Sequence, residues 1–253
     1  GIINIIYGYV DEIEEFPDDV DCLILDYNNL SVLPPLPEGI FKLSCAHNHL
    51  TQLPKLPKSL RILNISHNNF TELPELTEEI TNFQCQSNKL THLSGMPKHL
   101  KNLVCYNNYL TELPTLPEMI FSINCENNFI EKIPHLPSSL LDLICDNNNL
   151  KELPHFPEYL EVLFCRNNRI KKLPELPSLL SSLSCDDNEL HSIPKLPKKL
   201  ERLSYTNNPI KKMPYINDNL MSLNGISQKE KLDEIRRKQR LNIERKKKLK
   251  NIL

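Results

Sequence analysis

The chain has 253 residues, with 30 Lys and Arg against 32 Asp and Glu and a hydrophobic content of 40%. This content is sufficient for a packed core, and no run of 18 apolar residues predicts a membrane-spanning helix. The charge is unevenly placed, because the segment after Gly225 has 11 basic and 4 acidic side chains, whereas the rest has 19 basic and 28 acidic ones. The composition therefore predicts an acidic folded part, of net charge −9, followed by a basic tail of net charge +7.

A period of 20 residues runs through the acidic part. Asparagine recurs at Asn28, Asn48, Asn68, Asn88, Asn108, Asn128, Asn148, Asn168, Asn188 and Asn208. The residues around each Asn follow one frame, which reads I-x-x-L-x-C-x-x-N-x-L over 40–50 and L-x-x-L-x-C-x-x-N-x-L over 140–150. A period of 20 to 29 residues with this frame is typical of leucine-rich repeats, in which each unit packs only on its neighbours.

The first residues already occupy positions within a repeat. Ile3, Ile5 and Val10 fall in core positions of the frame, and Gly8 stands where Asn is expected. Terminal repeats normally carry a polar cap, and none precedes Ile3 in this sequence. We therefore expect the chain to be a fragment of a longer protein or a processed one.

Each unit is predicted to begin with a short strand. In one unit the alternation places Leu163 and Cys165 in the core and Val162, Phe164 and Arg166 on the opposite face. Twelve such strands are expected to stack in parallel into one curved sheet. The Asn at the bend of each unit is expected to bond backbone groups that the turn leaves unpaired, and is therefore structural.

Each unit is predicted to end in a return segment that reads L-P-x-L-P, as over 53–57 and 173–177. Proline fixes its own φ and favours extended geometry in the residue before it, so these segments are expected to be polyproline II-like rather than helical. The motif is interrupted at Thr77 and again over 93–97. These departures are either drift without consequence, which we favour, or a bend or softer patch on the convex side.

At these residues the sequence resembles the LPX subtype of bacterial leucine-rich repeat proteins, among them the YopM-like and IpaH-type effectors. The resemblance covers nearly all of 1–226 and implies a β-rich solenoid, a horseshoe with a parallel concave sheet. It also implies protein recognition, effector-like inside a host cell. The IpaH-type effectors owe their ubiquitin ligase activity to a separate domain with a nucleophilic Cys, but no Cys follows Gly225 here, so that activity is not carried over. The Asn, Ile and Lys usage also fits an AT-rich genome such as that of a giant virus.

One apolar cluster stands out on the otherwise polar concave face. Apolar and aromatic side chains ringed by charge are typical of the centre of a protein interface. The predicted partner-binding residues are Val104, Tyr106, Glu126, Ile144, Asp146, Val162, Phe164 and Arg166. The alternative is a set of scattered surface hydrophobic residues, which are normal in soluble proteins.

Seven of the eight cysteines share one position of the frame, which other units fill with Leu25, Ile65 or Tyr205. This position is predicted to be a core position in which free thiols act as small hydrophobic groups, so we expect an intracellular reducing compartment. Cys22 is the exception, since it falls on the outward face, where a thiol is open to reaction. His47 and His67 occupy equivalent bends without a third ligand in register, so no metal site is predicted.

The solenoid is predicted to end at 226 and a basic helix to occupy 227–253, with S-Q-K-E at 227–230 as its capping box. The first turns of this helix are expected to seal the last repeat. Its basic cluster is alternatively a signal for nuclear import or a site for nucleic acid or acidic membrane. That cluster consists of Arg236, Arg237, Lys238, Arg240, Arg245, Lys246, Lys247 and Lys248.

The sequence contains no nucleophile and base arrangement, no phosphate-binding glycine loop and no paired-carboxylate pocket. We therefore expect a non-enzymatic module that binds a protein partner on its concave face, without a cofactor or a small-molecule substrate. One alternative is the substrate-recognition part of a larger enzyme, such as a ubiquitin ligase. The other is binding of nucleic acid or acidic membrane through the basic tail.

Overall fold

A computed structural model describes residues 1–250, with side chains described as far as 245. It contains twelve short strands followed by one helix, α1, which spans Lys229–Lys250. The strands are β1 Ile2–Asn4, β2 Cys22–Ile24, β3 Lys42–Ser44, β4 Ile62–Asn64, β5 Asn82–Gln84, β6 Asn102–Val104, β7 Ser122–Asn124, β8 Asp142–Ile144, β9 Val162–Phe164, β10 Ser182–Ser184, β11 Arg202–Ser204 and β12 Ser222–Leu223.

The strands form one parallel sheet in chain order, β1 to β12. Each strand pairs with the next at a constant offset of 20 residues, so that Leu143 lies opposite Leu163 and Ile144 opposite Phe164. The offset equals the sequence period, so the same frame position forms a column along the sheet. The predicted twelve-stranded parallel horseshoe is confirmed.

A single hydrophobic core runs the length of the solenoid behind this sheet. In the unit that begins at β8, Leu143, Cys145 and Leu150 are fully buried, and Leu153 of the return segment closes the core from the convex side. Burying a Leu side chain stabilises a fold by about 1.5–3 kcal/mol, and the frame repeats this burial in every unit. The hydrophobic positions of the frame therefore specify the solenoid.

The return segments form the convex side of the solenoid, and no helix occurs between residues 1 and 228. Each regular segment ends in a tight turn in which a backbone N–H bonds a proline carbonyl three residues earlier, as from Leu160 to Pro157 at 3.2 Å. Proline supplies the fixed φ that this turn needs and has no N–H to leave unpaired. The extended convex side follows from the two prolines of the motif.

The helix α1 seals the C-terminal end of the core. Leu232 is buried against the last repeat, and Ile235 packs on it from the next turn. The predicted helix is confirmed and begins at Lys229, two residues after the start that we expected. The helix was predicted to extend to 253, and residues 251–253 lie outside the part of the chain that the structure describes.

Candidate functional site

A ladder of asparagines fixes the bend of every unit. The side chain of Asn148 donates to the carbonyls of Cys125, Cys145 and Asp146 at 3.0–3.2 Å, and its Oδ1 accepts the Ile130 N–H at 2.9 Å. The same four bonds recur at the equivalent Asn of the neighbouring units. All four partners are backbone groups, so the predicted structural role of the Asn residues is confirmed.

The residue before each of these asparagines, and Tyr7 before Gly8 of the first unit, has a positive φ, near +50° to +59°. In the first four units that residue is aromatic, and the rings of Tyr7, Tyr27, His47 and His67 stack in sequence with centroids 4.4, 4.1 and 3.9 Å apart. Burial, and secondarily the neighbouring His47, lowers the pKa of His67. The two histidines therefore form part of an aromatic stack.

The predicted concave cluster consists of two groups in the structure. Val104 and Tyr106 lie at β6, whereas Ile144, Val162 and Phe164 lie together on β8 and β9. The intervening strand β7 places the polar side chain of Asn124 between Val104 and Ile144 in the register. All five cluster residues are half-buried, so they offer apolar surface to solvent without belonging to the core.

The charged residues at the edge of the cluster are held by one buried carboxylate. Asp146 is only 1% exposed and accepts three bonds from Arg166, from the backbone N–H at 2.6 Å, Nε at 2.8 Å and a terminal nitrogen at 2.7 Å. These bonds raise the pKa of Arg166 and hold its guanidinium 5.9 Å from the ring centroid of Phe164. Asp146, which we predicted as a partner-binding residue, is buried and positions Arg166.

The same role of aspartate recurs elsewhere in this column of the sheet. Asp26 accepts the backbone N–H of Ala46 at 2.8 Å, and Asp186 accepts that of Thr206 at 2.7 Å. In each case the carboxylate satisfies an N–H of the following unit. A guanidinium placed over an aromatic ring accompanies this bond only at Asp146 among the described residues.

A second aromatic pair, Tyr109 and Phe129, was not predicted from the sequence. The rings of Tyr109 and Phe129 stack in neighbouring units with centroids 6.3 Å apart, and the two residues are 50% and 49% exposed. Both follow the Asn of the frame by one position, beside the units that carry Tyr106 and Glu126. An aromatic residue at this polar position in two consecutive units was the signal that could have revealed the pair.

All eight cysteines are buried and free in the structure. Burial raises the pKa of every thiol in the shared core position, to about 12 for Cys125. The prediction for that column is confirmed, but the prediction of an exposed Cys22 is wrong. Its side chain is covered because β2 is flanked on both sides, by Ile2 of β1 and Lys42 of β3 in register.

Some residues of the basic cluster of the tail bind the last repeat, and others are exposed to solvent. Arg236 is buried and donates to the carbonyls of Asn217 at 3.1 Å and Leu220 at 2.6 Å. Arg240 binds the carboxylate of Asp218 at 2.7 Å. Lys238 pairs with Glu234 at 2.6 Å, while Arg237 and Arg245 are exposed. The side chains of the remaining three lysines lie outside the description: Lys246, Lys247 and Lys248.

Neither a metal-binding cluster nor a membrane-spanning helix occurs among the residues that the structure describes. No group of three or more His, Cys, Asp and Glu side chains there is arranged to hold a metal ion. Between residues 1 and 250, no helix has the length and hydrophobicity needed to cross a bilayer.

Solved structures similar to this chain share its architecture. YopM, a leucine-rich effector protein from Yersinia pestis, matches 84% of this chain at 34% identity and a TM-score of 0.78. The leucine-rich repeat domain of a Shigella effector matches 69% of this chain at 33% identity and a TM-score of 0.54, with 72% of that domain covered. The chain belongs to the leucine-rich repeat proteins and resembles the YopM-like effectors.

A third structure shows the fold alone. The functional domain of InlJ from Listeria monocytogenes, described as including a cysteine ladder, matches 88% of this chain at 24% identity and a TM-score of 0.80. This chain spans 62% of the Yersinia pestis YopM structure and 52% of that of InlJ. No protein-family model and no curated protein sequence matches the chain.

Proposed function

We propose that this solenoid is a non-enzymatic recognition module that binds a protein partner on its concave face, centred on β8 and β9. Its structural neighbours are leucine-rich repeat proteins, a class that serves in protein interaction. The proposal places the contact at Ile144, Val162, Phe164 and Arg166, with Tyr106 and Glu126 at its edge.

The arrangement of Phe164 and Arg166 carries the proposal. The core beneath β9 is already filled by Leu163 and Cys165, so Phe164 is not needed to complete it. Asp146 holds the guanidinium beside the half-buried ring, which reduces the side-chain entropy lost on binding. A preorganised Arg next to an aromatic side chain has the composition of an interface hot spot.

We place the stacked pair of Tyr109 and Phe129 at the edge of this surface. Both side chains are about half exposed, and Tyr109 follows Tyr106 by three residues in the same unit. Tyr and Phe are enriched at protein interfaces because they bury a large area for few rotatable bonds. A partner that covers β8 and β9 and extends toward β6 would reach this pair.

The test compares two charge substitutions at the same strand position, Phe164→Glu and Gln84→Glu. Both side chains are half-buried on the concave face, four units apart. Proteins captured from lysate by the unmodified chain are identified by mass spectrometry, and the affinity of a captured partner is then measured with purified components. Phe164→Glu should weaken that affinity about tenfold or more, as expected of a hot spot, while Gln84→Glu leaves it unchanged. A partner that tolerates Phe164→Glu would contradict the site.

An effector-like role inside a host cell extends this proposal, as does action in a reducing compartment of the cytoplasm or nucleus. The first is supported by the similarity to YopM, and the second by eight buried free thiols. If the chain is the recognition part of a larger enzyme, the same surface would select the substrate. Nuclear import and binding of nucleic acid or membrane through the tail are less favoured, since Arg236 and Arg240 are engaged by the last repeat.

A further inference from the structure

A cavity lies on the convex side, away from the proposed concave site. It has a volume of about 640 Å³ and lies between two consecutive return segments, residues 53–58 and 74–79. Ligand sites in proteins commonly enclose about 300–1,000 Å³. We call this cavity the convex cleft.

Two phenylalanines lie in the core next to the convex cleft, and we infer that their volume contributes to its opening. Phe70 and Phe83 are fully buried and stand at frame positions that the neighbouring units fill with Leu, as at Leu50 and Leu103. Extra volume in a packed core displaces its surroundings. Hydrogen bonds between neighbouring units fix the sheet, such as that from Cys85 N to the Val104 carbonyl at 2.8 Å. The return segments are therefore the part that we expect to be displaced.

The walls of the cleft show the same opening. Leu53, Leu73 and Leu76 are only half-buried, whereas Leu113 and Leu116 are buried; Ile193 and Leu196 are half-buried as well, in a unit that keeps both prolines. The cleft is also where the motif loses a proline. Thr77 stands in its place, and the Thr77 hydroxyl is buried without a hydrogen-bond partner. The floor of the cleft is therefore aliphatic, with one polar group left unsatisfied nearby.

The two walls carry opposite charges. Lys55 and Lys58 lie on one side and form no ion pair in the described structure, and Glu75 lies opposite Lys55 at the same frame position, also without an ion pair. Of the other carboxylates, Glu79 pairs with Arg61 at 3.3 Å. Glu78 accepts the backbone N–H of residue 98 at 3.0 Å. Two cations and one carboxylate thus remain available across an aliphatic gap.

We propose that the convex cleft binds an extended peptide segment of a partner protein, with one aliphatic side chain inserted between the two return segments. An acidic residue of the segment pairs with Lys55 or Lys58, and a basic residue pairs with Glu75. A small anion fits less well, because the carboxylates of the opposite wall repel it. A segment that carries both signs matches both walls, and its aliphatic side chain covers Leu53 and Leu76.

The test uses two short peptides with both charge orders, acetyl-Gly-Lys-Leu-Glu-Gly-amide and acetyl-Gly-Glu-Leu-Lys-Gly-amide. Each is titrated into the full chain, and backbone amide shifts are followed by NMR. One of them should bind with a dissociation constant in about the millimolar range, with shifts confined to residues 53–58 and 73–79. Replacing the central Leu of that peptide by Gly should weaken binding about tenfold or more, since the burial of one aliphatic side chain is lost.

Two exposed lysines at the same frame position give a matched pair of variants. Lys55→Glu should weaken binding about threefold or more, and Lys195→Glu, seven units away, should not. Thr77→Pro, which restores the proline of the motif, should also weaken binding by narrowing the cleft. Absence of binding, insensitivity to the central Leu, or equal effects of the two lysine variants would each overturn the proposal. None of these outcomes bears on the concave site, whose test uses Phe164→Glu.

Discussion

Two parts of the solenoid share the 20-residue frame and the strand register but differ on the convex side. We call residues 101–200 the regular stretch and residues 53–97 the broken stretch. Each return segment of the regular stretch keeps both prolines, and a closed core lies beneath most of them. In the broken stretch Thr77 replaces a proline and the convex cleft separates two segments. Only the side of the solenoid that lacks a hydrogen-bond ladder has changed.

This difference shows where a solenoid absorbs a change in core volume. Leu63 of β4 still lies directly opposite Phe83 of β5, although Phe is larger. No backbone hydrogen bond joins residues 53–58 to 73–78, so that side yields first. Core substitutions thus leave the strand register of the concave sheet unchanged and alter the packing of the return segments on the convex side. Four predictions test this contrast, in order of decreasing expected effect.

The asparagine ladder should be equally important in both stretches. We expect Asn148→Ala and Asn88→Ala each to lower the free energy of unfolding by about 2–3 kcal/mol, because one buried N–H loses its partner and three carbonyls each lose one of two hydrogen bonds. Urea denaturation followed by circular dichroism measures both. A much smaller loss for Asn88→Ala would show that the opening of the broken stretch reaches the sheet.

The cysteine column should report local opening unit by unit. Burial raises the pKa of Cys85 and of Cys145, so neither thiol should react in the native state at pH 8. Reaction then requires opening of the unit, and we expect Cys85, in the broken stretch, to react about tenfold faster than Cys145, in the regular stretch. Labelling with N-ethylmaleimide, read by peptide mass spectrometry, measures the two rates. Equal rates would mean that the convex cleft does not lower local stability.

Restoring the missing proline should stabilise the broken stretch. Thr77→Pro is expected to raise the free energy of unfolding by about 0.4–1 kcal/mol, since the turn already bonds Ile80 N–H to the residue 77 carbonyl and the unfolded chain loses freedom. The reciprocal change, Pro137→Thr in the regular stretch, should lower it by a similar amount. A destabilising Thr77→Pro would show that the φ at this position differs from that of the regular turns.

The smallest expected effect concerns pH and the aromatic stack. The pKa of His67 is lowered in the folded state from the usual 6.5, first by burial and then by His47, so the unfolded chain binds the proton more readily. Stability from this group is therefore complete above pH 6.5 and decreases as the pH falls toward the lower folded value. His67→Ser should flatten that part of a plot of melting temperature against pH. An unchanged slope would assign the pH dependence to other groups.

Much of this architecture could be predicted from the sequence, because a period fixes which side chains form a column. The bonds of Asn148, the burial of Cys145 and the outward direction of Phe164 all follow from frame position alone. The aromatic stack at Tyr27 and His47 and the burial of Asp146 depend instead on how neighbouring side chains pack. Thr77 was recognised as a departure, but its consequence required the volume of Phe70 and Phe83 in the core.

The parallel order of the twelve strands also determines how the protein would respond to a pulling force. A load applied between the two ends of the solenoid acts along its inter-strand hydrogen bonds, so the units would detach one after another rather than shear together. Each detached unit releases 20 residues, which extend to about 66–72 Å. A force–extension trace should therefore show equally spaced steps, each of which corresponds to the release of one unit.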